Sequence, residues 1–186
     1  MNKLTLILIL ICNSIVSYSQ SKKDIKKFKI KSVEVVTDDF REEKAKKYTE
    51  SIEKYNKDGK ILEDTEFNSD GSIKKKETHR YNVNGDETEN VEYNTNGTVK
   101  KKITSIYNGD NLKTEEYRYG ENDRLEQKEL YSYNKMGIRN VELLYDGNNK
   151  LLKKIIIIND ERGLKKEKRI YDGSDKLIEI KKYNYQ

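Results

Sequence analysis

Carboxylates and one histidine are the residues of this chain whose types and spacing could support catalysis. The acid pairs Glu63/Glu77 and Glu115/Glu129 are predicted neighbours on one face of a β-sheet, an arrangement that glycosidases use. In a chain with 33 Asp and Glu residues, chance adjacency explains such pairs better, and no surrounding pocket is indicated. His79 has no predicted nucleophile or metal partner beside it. We therefore predict no catalytic residue and no enzyme.

The composition also argues against bound metals and cofactors. The chain has one cysteine, one histidine and no proline or tryptophan, which excludes Cys/His zinc sites, paired-histidine centres and Pro-rich linkers. Asp and Asn recur in predicted turns, but turns at one edge of a sheet lie two strands apart, roughly 10 Å. That separation is too large for two turns to share a calcium ion. We predict neither a metal site nor a cofactor.

Residues 1–19 have the pattern of a secretory signal peptide. An apolar run from Leu4 to Ile11 follows a basic start, and the small residues Ser17 and Ser19 mark a cleavage site. The run is too short for a comfortable membrane span. The pattern predicts an exported mature chain that is periplasmic, on the outer surface or secreted, with no membrane span of its own. Lipid anchoring through Cys12 is the alternative, but a bulky isoleucine precedes that cysteine.

From residue 55 onward, a five-residue pattern recurs at alternating intervals of 12 and 14 residues. It begins with an aromatic residue, continues with Asn, Asp or Gly and ends with Gly, Asn or Asp, as in YNKDG. This is the chemistry of a hairpin that joins a type I turn to a G1 bulge, whose last residue has positive φ. The first positions are Tyr55, Phe67, Tyr81, Tyr93, Tyr107, Tyr119, Tyr133, Tyr145, Asn159 and Tyr171.

The segments between these turns are about 8 and 10 residues long and rich in Tyr, Ile, Val and Thr. We therefore predict an all-β fold, an antiparallel β-meander of about twelve strands. The sheet is either a single layer or spiral, or a closed up-and-down barrel. Its repeats cover residues 55–186. Residues 20–54, with strands from Ile30 to Val36 and from Tyr48 to Tyr55, are predicted to cap its first edge.

Strand alternation and the even repeat intervals predict which side chains share a face. All twelve tyrosines from Tyr55 onward occupy odd positions, so we expect them on one face. At alternate turns the aromatic residue is predicted to lie opposite the aliphatic residue six positions later. These pairs are Phe67/Ile73, Tyr93/Val99, Tyr119/Leu125, Tyr145/Leu151 and Tyr171/Leu177.

Two lysine runs, 74–76 and 100–102, have the composition of a nucleic-acid patch. The predicted register instead places lysines of the even face beside glutamates, in the pairs Lys74/Glu66, Lys100/Glu92 and Lys154/Glu142. The formal net charge of the whole chain is only +5. A field this weak does not attract phosphate strongly. We therefore predict no nucleic-acid partner.

Two surfaces remain as candidates for binding. Tyrosine arrays suit sugar rings or a partner's surface, although the same rings could be the core of a sheet poor in aliphatic residues. The candidate ligand residues are Tyr117, Tyr119, Tyr131, Tyr133, Tyr183 and Tyr185. An apolar patch on the even face needs cover from the sheet, the cap or a partner chain. Its residues are Leu144, Leu152, Ile156, Ile158, Ile170, Ile178 and Ile180.

The YNxxG and YDxxG turns, each followed by an aliphatic residue two positions later, resemble YD/RHS-type repeats and the related MORN-variant repeats of exported bacterial proteins. The resemblance covers residues 55–185 and implies a repeat architecture without catalytic residues. Our leading hypothesis is a non-enzymatic binding or scaffold module at the cell envelope that contacts polysaccharide or envelope protein through the tyrosines. The alternative is a partner-dependent assembly or immunity-like protein that uses the apolar patch. The oligomeric state stays open.

Overall fold

The computed structural model describes residues 22–39 and 46–185, which form one antiparallel sheet with its strands in sequence order. The predicted all-β meander is therefore confirmed. The sheet is open, because β1 and β12 lie at its two ends. The predicted signal peptide, residues 1–19 with Cys12, lies outside the described residues. The strands are β1 (Ser32–Asp39), β2 (Lys46–Tyr55), β3 (Ile61–Phe67), β4 (Ile73–Tyr81), β5 (Glu87–Tyr93), β6 (Val99–Tyr107), β7 (Lys113–Tyr119), β8 (Leu125–Tyr133), β9 (Arg139–Asp146), β10 (Leu151–Asn159), β11 (Lys165–Asp172) and β12 (Leu177–Lys182).

Nine of the ten hairpins between β2 and β12 close as the turn residues predict. The hairpin between β7 and β8 differs, because residues Glu121–Asp123 form a 3-10 turn in which the Arg124 amide donates to the Glu121 carbonyl. In the turn after Tyr133, the Asn134 amide donates to the Ile138 carbonyl at 2.9 Å, and the Gly137 amide donates to the Asn134 carbonyl at 3.0 Å. The Asn134 side-chain oxygen also accepts from the Met136 and Ile138 amides. All fifth positions of the pattern have positive φ, as predicted: Gly59, Gly71, Gly85, Gly97, Asn111, Asp123, Gly137, Asn149, Gly163 and Asp175.

Each of these hairpins also carries a one-residue register shift beside the first residue of its turn pattern, which is Asn159 in the hairpin between β10 and β11 and an aromatic residue in the others. Phe67 pairs with Ile73, but the next pair is Glu66 with Lys75, so Lys74 is an extra residue in β4. Because of this bulge, side chains that share a face have odd residue numbers in one strand and even residue numbers in the next. Side chains of one face therefore have odd numbers in β5 and even numbers in β6.

The sheet consequently has two faces that both carry tyrosines. The front face carries Tyr93, Tyr119, Tyr145 and Tyr171, and the back face carries Tyr55, Tyr81, Tyr107 and Tyr133. The expectation that all tyrosines from Tyr55 onward share one face is wrong. The predicted turn itself includes the bulge residue, and counting odd and even positions ignores it.

The aromatic and aliphatic pairs at alternate turns are confirmed, and all of them lie on the front face. Each pair contributes roughly 0.2 to 1 kcal/mol relative to an alanine pair. The pairs are Phe67/Ile73, Tyr93/Val99, Tyr119/Leu125, Tyr145/Leu151 and Tyr171/Leu177.

The N-terminal segment adds two strands and one short helix. The two strands predicted there are confirmed as β1 and β2, and their capping role stays a prediction. Helix α1 (Lys22–Lys27) precedes them, and Ile25 within it is only 1% exposed. The Tyr55 amide donates to the Lys31 carbonyl at 2.9 Å, which ties the segment before β1 to the end of β2.

Candidate functional site

A regular row of lysines and tyrosines crosses the front face. Four lysines 26 residues apart each lie directly opposite a tyrosine of the next strand. In each pair the ammonium group lies over the ring, at the distance for a cation–π contact. The ammonium-to-centroid distances are 5.9 Å for Lys76/Tyr93, 4.7 Å for Lys102/Tyr119, 5.8 Å for Lys128/Tyr145 and 4.7 Å for Lys154/Tyr171. We call these eight residues the front row.

The front row is periodic because the strands of the sheet are evenly spaced. Successive pairs lie two strands apart, or about 9.5 Å, so the row from Tyr93 to Tyr171 extends about 29 Å across the sheet. All eight side chains are half-buried. Each tyrosine also has an aliphatic neighbour across its own hairpin, as Tyr119 has Leu125. Each tyrosine ring of the row therefore keeps part of its surface exposed, with a lysine on one neighbouring strand and an aliphatic residue on the other.

Lys128 occupies the centre of the densest part of the row. Its ammonium group lies 5.9 Å from the Tyr117 centroid as well as 5.8 Å from that of Tyr145. Tyr117 stacks on Tyr119, with centroids 6.4 Å apart and planes at 21°. A hydrogen bond to Glu115, with burial second, raises the pKa of Tyr117 to about 12. The phenol therefore stays neutral and donates a hydrogen bond to the Glu115 carboxylate.

The other three lysines of the front row contact carboxylates as well as rings. Lys76 lies 3.4 Å from Glu63, while Lys102 and Lys154 pair with the turn residues Asp123 and Asp175. The predicted pairing of Lys154 with Glu142 is wrong. Lys154 lies opposite Leu143 and pairs with Asp175, because the bulge shifts the register by one residue. The predicted ion pairs Lys74/Glu66 at 2.8 Å and Lys100/Glu92 at 2.6 Å are confirmed.

The back-face tyrosines sit in a network of charged groups. The guanidinium of Arg139 lies 4.0 Å from the Tyr131 ring centroid and 5.9 Å from that of Tyr133. The Tyr131 hydroxyl donates to Glu129 at 2.8 Å. Burial, and then this hydrogen bond, raises the pKa of Tyr131 well above its usual range. Tyr131 is buried, so it acts as a core residue of this face.

Glu116 is the buried carboxylate of the same network. It accepts from Lys113 at 2.9 Å and from Arg118 at 2.9 and 3.0 Å. Burial alone would raise the pKa of Glu116, but the hydrogen bonds from Lys113 and Arg118 outweigh it and hold the pKa below its usual range. Arg118 also reaches Glu129 at 3.1 Å. These contacts satisfy a charge that would otherwise be costly to bury.

The structure does not bring the six predicted ligand tyrosines together. Tyr117 and Tyr119 lie on the front face, while the register places Tyr131 and Tyr133 on the back face. Two further predicted residues, Tyr183 and Tyr185, follow β12. They contact Lys165 of the back face, through an ammonium 5.2 Å from the Tyr183 centroid and a 2.8 Å hydrogen bond from the Tyr185 hydroxyl to the Lys165 carbonyl.

The predicted apolar patch is divided in the same way. The front face carries Ile156, Ile158 and Ile180, and the back face carries Leu144 and Ile170. The two remaining patch residues, Leu152 and Ile178, are extra residues at hairpin bulges. The expectation of one apolar face is therefore wrong, and the bulges are the reason.

A row of carboxylates on the back face was not predicted from the sequence. Glu53, Asp64, Glu77 and Glu92 lie directly opposite one another on β2, β3, β4 and β5. Two of them have lysine partners, with Lys75 at 3.2 Å from Glu77 and Lys100 at 2.6 Å from Glu92. The signal was present in the sequence, because adding one bulge residue per hairpin to the count aligns these four acids.

The acid pairs that resembled a glycosidase site are not neighbours. Glu63 and Glu77 lie on opposite faces, and so do Glu115 and Glu129.

His79 Nδ1 lies 3.1 Å from Glu87 and 3.2 Å from the Asn90 amide nitrogen. Among the described residues, no three His, Asp or Glu side chains are placed to hold a metal ion. A surface depression of about 560 Å³ has charged walls that include Glu92 and Arg124.

Comparisons with known proteins do not identify a family for this chain. No protein-family model matches the chain, and no curated protein matches it. Among solved structures, a porin-like protein from Bacteroides uniformis shares 16% sequence identity, with a TM-score of 0.36 over 75% of this chain. The match covers 54% of that protein, so the chain spans about half its length. Within the described part of the chain, no helix has the length and apolarity to cross a membrane.

Proposed function

We propose that this protein is an exported, non-enzymatic binding module of the cell envelope that holds an extended polysaccharide along the front row. The observation that carries the proposal is the periodicity of the row. Four ring and ammonium pairs repeat at about 9.5 Å, with similar geometry at every step. A periodic row of this kind suits a polymer whose own chemistry repeats.

The chemistry of each step also suits sugars. A tyrosine ring offers its face to the apolar side of a sugar ring at low entropic cost. The neighbouring ammonium group can donate hydrogen bonds to hydroxyl or carboxylate oxygens of the same polymer. Because all eight side chains are half-buried and packed against neighbours, binding would order few of them further.

Export and the absence of catalysis are parts of the same proposal. The signal-peptide pattern of residues 1–19 supports export, and the resemblance to repeats of exported bacterial proteins is compatible with it. Neither of the two acid pairs that the sequence suggested can flank one glycosidic bond, because the members of each pair lie on opposite faces of the sheet.

Co-sedimentation tests this function directly. Purified protein is mixed with insoluble envelope polysaccharide and, separately, with envelope protein fractions, and the pellets are analysed by gel. The proposal predicts pelleting with polysaccharide. Pelleting only with protein fractions would favour the alternative of a partner-dependent assembly protein, and protein that stays in both supernatants would contradict both readings.

A further inference from the structure

Strand β12 forms an end of the sheet and is unusually open. All six of its residues are exposed, including Ile178 at 56% and Ile180 at 47%. Among residues 22–39 and 46–185, it pairs with β11 alone. An exposed edge strand with aliphatic side chains is a template for another strand.

The backbone hydrogen bonds of β12 define which groups point outward. The Tyr183 amide donates to the Lys166 carbonyl at 3.0 Å. In an antiparallel pair, hydrogen-bonded and non-bonded positions alternate, so Lys181 and Glu179 also direct their backbone groups toward β11. The amide and carbonyl groups of Ile180 and Lys182 therefore face the open edge.

This alternation limits how β12 can pair with a second β12. Outward residues must lie opposite outward residues, and a pairing centred on Ile180 meets that condition. It places Glu179 of each copy opposite Lys181 of the other, in two symmetric ion pairs. Shifting the centre to Glu179 or to Lys181 would place like charges directly opposite each other, which is destabilising.

We propose that a second copy of this chain pairs with β12 in this register and forms a two-fold symmetric dimer with one continuous sheet. Ile180 meets Ile180 of the second copy at the axis, and Glu179 meets Lys181 on either side. Such an interface is self-complementary and closed, as in most homodimers. The inference is independent of the proposed function, because it uses neither the front row nor a ligand.

The area that the interface buries determines the expected affinity of the dimer. Two strands of six residues bury less surface than a standard stable interface. The dimer should therefore be weak, with a dissociation constant in the micromolar to millimolar range. The competing arrangement is β12 on β1 of another copy, which would add copies without closure and produce fibres.

Sedimentation equilibrium of the full chain over a wide concentration range tests the proposal. The expected result is a monomer–dimer equilibrium that stops at two copies. A monomer at every concentration up to the millimolar range would overturn it, and so would a mass that keeps increasing with concentration, since that indicates pairing with β1.

Charge exchange tests the register itself. Glu179→Lys should weaken dimerisation at least tenfold, because the new ammonium group would then face Lys181 of the second copy. Lys181→Glu should do the same, and the double variant should restore the parent affinity. Ile180→Lys should abolish the dimer, whereas Ile106→Lys, an equally exposed change within β6, should not. A double variant as weak as the single variants would overturn the register, provided that circular dichroism shows every variant folded.

Discussion

Asp64 lies directly opposite Glu77 in the middle of the carboxylate row on the back face. Burial is the main reason why the pKa of Asp64 lies above its ordinary value, and the nearby charges of Glu53 and Glu66 raise it further. Like charges directly opposite each other destabilise a sheet. The row is therefore a local cost to the fold at neutral pH, which the lysines beside Glu77 and Glu92 offset only in part.

Asp64→Asn should stabilise the protein at pH 7. Removing one charge from the row should raise the free energy of unfolding by roughly 0.2 to 1 kcal/mol. A carboxyl whose folded pKa is raised stabilises the fold only when protonated, so its contribution is lost as the pH rises through that pKa. The gain over the parent should shrink as the pH falls from 7 toward 4. Urea denaturation across this range measures it, and Asp110→Asn, an exposed turn change, should show no gain at any pH.

Glu116→Gln should have the opposite effect. The variant leaves Lys113 and Arg118 without their buried carboxylate, which should cost about 1 to 3 kcal/mol at pH 7. The lowered pKa of Glu116 contributes stability that is present above the ordinary carboxyl value and lost as the pH falls through the folded value. The difference from the parent should therefore close in acid. Glu126→Gln is the control, because Glu126 is exposed. Equal losses in both variants would show that the Glu116 network contributes nothing particular.

Gly147→Ala should destabilise the fold through a backbone clash. A β-carbon at Gly147 would overlap the carbonyl oxygen of Leu125, which belongs to the start of β8. Gly109 occupies the same third position of its turn and has open space around it. Thermal unfolding should show a loss of about 1 to 3 kcal/mol for Gly147→Ala and little change for Gly109→Ala. Equal stability of the two variants would contradict the close approach at Gly147.

The local structure of this protein follows from short-range chemistry, which explains why it is predictable. The turn residues determine hairpin closure, and the first pair after each turn follows from turn length alone. Thus Tyr93 opposite Val99 and Phe67 opposite Ile73 are correct predictions. The number and order of the strands from β2 to β12 follow from the same repeat of turns.

The predicted faces were wrong because the face of a side chain depends on every bulge residue that precedes it in its strand. A single extra residue such as Lys74 moves every later side chain of its strand to the other face. Two tyrosines of neighbouring strands, such as Tyr119 and Tyr133, therefore lie on opposite faces although both have odd numbers. For the same reason the front row, which joins even-numbered lysines to odd-numbered tyrosines, was not visible from parity.

Binding at the front row is the central part of the proposed function. Two double variants separate the faces: Tyr119→Ser with Tyr145→Ser on the front, and Tyr183→Ser with Tyr185→Ser on the back. Circular dichroism first establishes that both remain folded.

The decisive measurement is affinity electrophoresis of the parent and both variants in gels that contain envelope polysaccharide. If the front row binds the polysaccharide, the front-face variant should lose at least about 90% of its retardation, roughly 1.4 kcal/mol or more, while the back-face variant should migrate like the parent. Equal retardation of the front-face variant and the parent would contradict binding at the front row.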